Sequence, residues 1–151
     1  MKFSTSKNEL QEALQKLSKA TPLRSTLPIL SCILIKATNE KTTLIATDLE
    51  LTIDIKLSVS IEEEGSAAVP LKQLYDITNE FPDGTRITIS VDSKNKIEIN
   101  TLSGSYDLMG KQMEEFPTTP KIDETKKIKL SGKTLRELIS STLFAVSKDD
   151  L

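Results

Sequence analysis

The reading of this chain turns on Lys2-Phe3-Ser4-Thr5-Ser6 and the residues that follow, Lys7-Asn8-Glu9-Leu10-Gln11-Glu12-Ala13-Leu14-Gln15-Lys16-Leu17. The opening is short and extended in character. Leu10, Ala13, Leu14 and Leu17 then recur at the i, i+3, i+4, i+7 spacing that gathers apolar side chains on one helical face. Ser6 is the expected N-cap, and Glu9 three residues on completes a capping box. The same order of strand, cap and helix returns near the other end. Lys127-Ile128-Lys129-Leu130 alternates, Ser131 holds the cap position, and Leu135, Leu138, Ile139 and Leu143 form the stripe. A shift of 125 residues lays Lys2 on Lys127, Ser6 on Ser131, Leu10 on Leu135 and Glu12 on Glu137. A looser copy begins near residue 67, with Ser66-Ala67-Ala68-Val69, then Pro70 where a first helical turn tolerates a missing N–H, then Leu71, Leu74, Tyr75 and Thr78 on one face. The spacing predicts a repeat of roughly 60–65 residues.

Between the helices the period drops to two. Strands are predicted over Ile29–Lys36, Thr43–Thr47, Leu51–Val59, Ile87–Val91, Lys96–Asn100 and Ser105–Met109, with turn chemistry at 38–41, 82–84 and 92–95. Each repeat therefore reads as β-α followed by a strand meander, and two repeats make an α+β domain with its helices together on one side of antiparallel sheets. On this reading residues 1–110 are a first domain with repeats at about 1–65 and 66–110. Pro117 and Pro120 stiffen an interdomain connector at 111–125. Residues 126–151 open a further domain with a strand and a helix but no meander. Such a stub cannot bury its own apolar face, as expected of a piece of a longer protein.

The chain has 151 residues, enough for a core without staples, and its 20 Lys+Arg against 22 Asp+Glu make it nearly neutral. With no His, imidazole bases, His-ligated metals and Ser-His or Cys-His nucleophile pairs are excluded. The single cysteine, Cys32, permits no intrachain disulfide. No leader-like or bilayer-length apolar stretch is present, so a cytoplasmic, soluble protein without membrane attachment is expected. The charge is segregated. Residues 1–30 carry Lys2, Lys7, Lys16, Lys19 and Arg24 against Glu9 and Glu12, and residues 126–148 are more basic still, whereas 39–65 are acidic. If the helices share a side, that side is positive and suits a phosphate backbone followed without reading sequence.

Two motifs invite chemistry. Ser131-Gly132-Lys133-Thr134 between strand and helix resembles a phosphate loop, but Lys127 stands where its first glycine belongs, so a plain cap is expected. Asp48 and Glu50 could project from one strand face about 7 Å apart, a separation open to paired carboxylates, but carboxylates at a strand end are expected to be solvated or to cap a turn. An acidic loop is expected at Glu62-Glu63-Glu64.

Met1-Lys2-Phe3, Arg24-Ser25-Thr26-Leu27-Pro28-Ile29-Leu30, Thr47-Asp48-Leu49-Glu50, Val69-Pro70, Phe81-Pro82-Asp83-Gly84 and Glu115-Phe116-Pro117 resemble, in order and spacing, the landmarks of the bacterial sliding-clamp family, the DNA polymerase III beta subunits. The resemblance covers the whole chain. It implies a DNA-clamp fold: a ring of two protomers, each of three domains of two β-α repeats, with helices lining the hole. It also implies a non-catalytic processivity subunit that encircles duplex DNA and needs no cofactor or metal. Polymerase and clamp loader would bind a groove outside this chain. By position, Arg24 matches a DNA-contacting arginine, and Lys148 and Asp149 align with a DNA-touching loop whose usual residue at 149 is a polar amide. Lys16 and Lys19 would add to the cationic helix face. Ser105, Tyr106 and Leu108 align with the edge strand that pairs with a second protomer, and Gln73 aligns with a lysine assisting that contact. Two other classes remain open: a stand-alone interaction module using the Ser105–Met109 edge, and an enzyme resting on Asp48 and Glu50.

Overall fold

The Glu9 amide donates to Ser6 Oγ (3.3 Å) and the Ser6 hydroxyl donates to Glu9 Oε2 (3.0 Å), so the first helix starts where the capping pattern predicts. The box closes through the hydroxyl, because the Ser6 residue is itself the last of a strand. The computed structural model of the chain describes residues 1–22, 25–38, 41–118 and 129–147. They fall into two units, Met1–Thr119 and Pro120–Leu151.

The first unit runs β1 (Lys2–Ser6), α1 (Lys7–Leu17), β2 (Cys32–Thr38), β3 (Lys41–Thr47), β4 (Thr52–Leu57) and β5 (Ser60–Glu63). It continues with β6 (Gly65–Pro70), α2 (Leu71–Asn79), β7 (Arg86–Val91), β8 (Lys96–Thr101) and β9 (Gly104–Met109). All strand pairs are antiparallel, in a five-stranded sheet ordered β5-β1-β7-β8-β9 and a four-stranded sheet ordered β4-β3-β2-β6. This is the expected α+β architecture, with one arrangement the linear repeat did not foretell. The lead strand of each repeat leaves its own meander. β1 pairs with β7, Phe3 opposite Ile89, and β6 pairs with β2, Val69 opposite Ile33. Neither repeat completes a sheet alone.

α1 and α2 pack together, and Leu10, Leu14, Leu17, Leu71 and Leu74 enter one buried cluster with Phe3, Ile33, Ile35, Ile87, Ile89, Ile97 and Ile99. Both helices thus serve a single core. The four-stranded sheet is also covered on its other face, where Cys32, Leu34, Ile45 and Ala68 meet Ile29, Leu30 and Phe116. Double coverage explains why Ile29 to Ile35 reads as a nearly continuous apolar run instead of alternating.

Several boundaries move. The strand expected from Ile29 begins at Cys32, because Pro28–Ser31 forms a 3₁₀ turn in which the Ser31 hydroxyl donates to Pro28 O (2.7 Å). The strand expected over Leu51–Val59 is shorter, Thr52–Leu57: the chain leaves one sheet after Leu57 and enters the other at Ser60, in a strand that was not expected. Glu62 and Glu63 therefore sit mainly in β5, not in a loop. Lys2 Nζ lies 2.7 Å from Glu62 and the Met1 ammonium 3.9 Å from Glu63, so charge pairing with the neighbouring strand accommodates acids there.

In the second unit the Thr134 amide donates to Ser131 Oγ (3.0 Å), which caps α3 (Gly132–Thr142). Ser131-Gly132-Lys133-Thr134 is thus a helix cap. Lys127 and Ile128 of the expected strand lie outside the described residues, and Lys129 and Leu130 are in no strand. Leu135, Leu138, Ile139 and Leu143 are each about half exposed.

Phe3 is fully buried and held between Ile61 and Ile89 of its two neighbours. Phe3→Ala is expected to cost the first unit about 3–5 kcal/mol. Urea titration followed by circular dichroism should show both repeats unfolding in one shifted transition; a separate transition for residues 1–64 would contradict the exchange of lead strands.

Candidate functional site

α1 and α2 lie side by side, and Gln11 Nε2 donates to Asn79 Oδ1 across them (2.7 Å). Their outer faces carry less free positive charge than the sequence count suggests. Lys7 turns inward: its stem is buried and its ammonium reaches Asp83 at 2.6 Å. Lipophilic stems with a charged tip settle in this way at a core margin. Lys2 belongs to the sheet and pairs with Glu62. Lys16 is exposed but sits 2.6 Å from Glu12 one turn earlier, and the bond holds the Glu12 carboxyl below its ordinary range. On α2, Lys72 pairs with Asp76 at 2.8 Å, which raises the lysine above its ordinary value. Lys19, exposed in the 3₁₀ turn just after α1, forms no ion pair among the described residues. The expectation of a strongly positive helix side is corrected accordingly. Arg24, Lys148 and Asp149 lie outside the described residues.

A cleft of about 410 Å³ opens between the end of α1 and α2, lined by Gln15, Ser18, Pro22, Ser31, Leu71 and Tyr75 among others. The helix side is therefore grooved, not flat.

Ser105, Tyr106 and Leu108 come together on β9, the outermost strand of the five-stranded sheet. β9 pairs with β8 alone, Tyr106 opposite Ile99 and Leu108 opposite Ile97. Its other side leaves alternate N–H and C=O groups without a strand, which is the template for strand addition. Leu108 is half-buried against the core. The Ser105 hydroxyl donates to Glu98 (3.2 Å), and Lys96 pairs with Asp107 (2.8 Å). Tyr106 is 41% exposed, and its ring meets Phe81 edge-on at 5.4 Å. Phe81, named in the sequence only as part of the landmark Phe81-Pro82-Asp83-Gly84 after α2, is the ring beneath Tyr106 that sequence reasoning did not connect with β9. Gln73 is exposed on α2.

Asp48 and Glu50 are not on a strand face. They occupy the turn between β3 and β4, where Asp48 Oδ1 accepts from the amides of Glu50 (3.0 Å) and Leu51 (2.7 Å). Leu49 adopts a positive φ of 81° there, and its amide donates to Thr47 Oγ1 (3.1 Å). Asp92 does the same work between β7 and β8, accepting from Lys94 (2.8 Å) and Lys96 (2.9 Å) amides. Short polar side chains that bond their own backbone are turn formers. Among the described residues no three His, Cys, Asp or Glu side chains converge as a metal site, and no helix is long and apolar enough to cross a membrane.

Residues 1–120 match the family model described as DNA polymerase III beta subunit, N-terminal domain. The chain is 32% identical over 152 residues to the beta sliding clamp of Synechococcus elongatus, covering 99% of this chain and 40% of that protein. It is 30% identical over 158 residues to the beta sliding clamp of Bacillus subtilis, covering 99% and 42%. Among solved structures it resembles a sliding clamp from Bartonella birtlesii bound to griselimycin (TM-score 0.93, 31% identity, 99% of this chain and 40% of that one). It likewise resembles a Caulobacter crescentus pol III beta (TM-score 0.92, 28% identity, 100% and 40%). The chain spans about two-fifths of the length of the curated relatives it matches.

Backbone amides hold Asp48 and Asp92 below the ordinary carboxylate range, Leu51 N–H acting most strongly on the first and Lys96 N–H on the second. A folded-state value below the unfolded one of about 3.9 means that each turn adds stability above about pH 4 and loses it as pH falls through the folded value. An Asp48→Asn, Asp92→Asn double variant should be less stable than the parent at pH 6 and show a shallower loss between pH 4 and pH 2.5. Urea midpoints across that range measure it, and parallel profiles would contradict the assignment.

Proposed function

The chain belongs to the family of DNA polymerase III beta subunits, its first 120 residues corresponding to the N-terminal domain, and from that premise we propose that the whole protein is a DNA sliding clamp. It encircles duplex DNA without reading sequence and confers processivity on the replicative polymerase. It works in the cytoplasm, without a catalytic centre, cofactor or membrane anchor of its own. Residues 1–110 form one clamp domain, 111–125 lead out of it, and 126–151 open the next. A groove beyond this chain takes the polymerase and the clamp loader.

The observation that carries this reading is the pair of helices packed on one core while the sheet ends in an open strand, β9. Such a unit can be joined edge to edge into a closed curve with helices all on one side. The self-neutralised pairs Lys16–Glu12 and Lys72–Asp76 suit the same task. Each phosphate neutralised releases counterions and tightens binding. A lining of many unpaired lysines would grip the duplex and resist movement, whereas a ring retains it by topology. Lys16, Lys19, Arg24, Lys148 and Asp149 are the positions offered to DNA, Lys16 weakly because Glu12 shares its charge, and Asp149 as an aspartate where the family usually has a polar amide. Ser105, Tyr106 and Leu108 form the contact with the second protomer, and Gln73 assists from α2. The open β9 edge also favours a second reading, an independent module that recruits partners by strand addition; self-paired dimers of this chain in light scattering would favour it over a clamp fragment.

In the full-length protein, Arg24→Ala is expected to shorten retention on nicked circular DNA and to lower the salt slope of equilibrium binding by about 0.9, one phosphate contact. Retention and slope identical to wild type would remove Arg24 from the DNA surface. The 151-residue chain by itself should bind linear duplex weakly and without sequence preference at low salt; tight, sequence-selective binding would overturn the proposal.

A further inference from the structure

We infer that Gly110–Phe116 is a strap that opens independently of the main core and gates Cys32, the single thiol of the chain. After β9 the chain crosses to the four-stranded sheet and is held at two points. At its start the Gly110 amide donates to Asn95 O and the Lys111 amide to Ala68 O, both at 2.8 Å. At its end Phe116, 6% exposed, plugs the outer cluster of Ile29, Leu30, Cys32, Leu34, Ile45 and Ala68. Between these anchors Gln112 to Glu115 are exposed and make one 3₁₀ turn. Cys32 is 1% exposed. Burial pushes its thiol up, Lys111 draws it down and Glu115 opposes Lys111, so charges on the strap reach the sulfur.

The strap is separable because its cluster is separate. Phe116 touches none of the cluster that joins α1, α2 and the inner sheet faces, and β2 is hydrogen-bonded to β3 and β6 without it. Releasing two amides and one ring removes the Phe116 share of the cover over the outer sheet face, Ile29 and Leu30 staying in place, while leaving both ladders intact. Segments held by few contacts open at lower free energy than the whole fold. Gly110 is the tight point: a Cβ there would stand 2.9 Å from Ala68 O and 3.1 Å from Asn95 O, the two carbonyls that accept the strap's amides.

Cys32 makes the opening measurable. The 151-residue chain is treated with excess iodoacetamide across a urea series, alkylation is followed by intact mass, and global unfolding is followed by circular dichroism. Wild type should alkylate at a rate that is nearly flat at low urea and merges with the steep global line only near the transition. Phe116→Ala should raise the low-urea rate at least tenfold, well beyond any change in its global unfolding constant. Gly110→Ala, which disturbs the other anchor and leaves the plug in place, should do the same. The inference is overturned if wild-type alkylation follows the full urea slope from zero denaturant. It is equally overturned if both variants accelerate alkylation only in proportion to their loss of global stability.

Discussion

The exchange of lead strands is the constraint on which the rest of the first unit depends. β1 must lie between β5 and β7, and β6 beside β2, before either sheet is complete. The exchange brings the two repeats' helices onto a common core, where Leu14 and Leu74 are both fully buried. It also decides which strands remain at the margins. β5 covers β1, but among the described residues no strand pairs with the far side of β9, so the open edge follows from the topology and not from any special sequence in Gly104–Met109.

Charge is arranged on the same logic. Summing formal charges over the amino-terminal segment suggests a basic surface, yet Lys7 sits under the core margin with Asp83, Lys2 is on a sheet with Glu62, and Lys16 leans on Glu12. Exposed pairs of this kind add little to stability, commonly under 1 kcal/mol. Their effect lies in what they withhold from a polyanion. A surface that holds its own counter-charges offers few free cations to any polyanion.

Much of this was legible before the coordinates. The helices were, because Ser6 and Ser131 announce their starts and leucines at helical spacing mark the faces that α1 and α2 bury. The meander strands were, because alternation persists through Lys96–Asn100 and Ser105–Met109. What was not legible depended on partners distant in sequence. β5 is too polar to show a period, since Glu62 is accommodated by Lys2 in the strand beside it. The pairing of Tyr106 with Phe81 joins residues from different elements and leaves no local trace. Asp48 was legible as a strand-end carboxylate able to cap a turn, whereas the positive φ of Leu49 that shapes that turn left no sign in the sequence.

Synthesis runs from one end, and this fold does not. Ser4 Oγ meets Thr88 Oγ1 at 2.9 Å across a separation of 84 residues. At about 5–20 residues per second, the nascent chain carries β1 and the apolar face of α1 for roughly 4–17 s before β7 is made. During that interval α1 can rest on β3 and β4, but Phe3 lacks the strand that closes its second side. A growing chain of this topology is thus most exposed to chaperones, and to neighbours on the same messenger, in the window before β7 emerges.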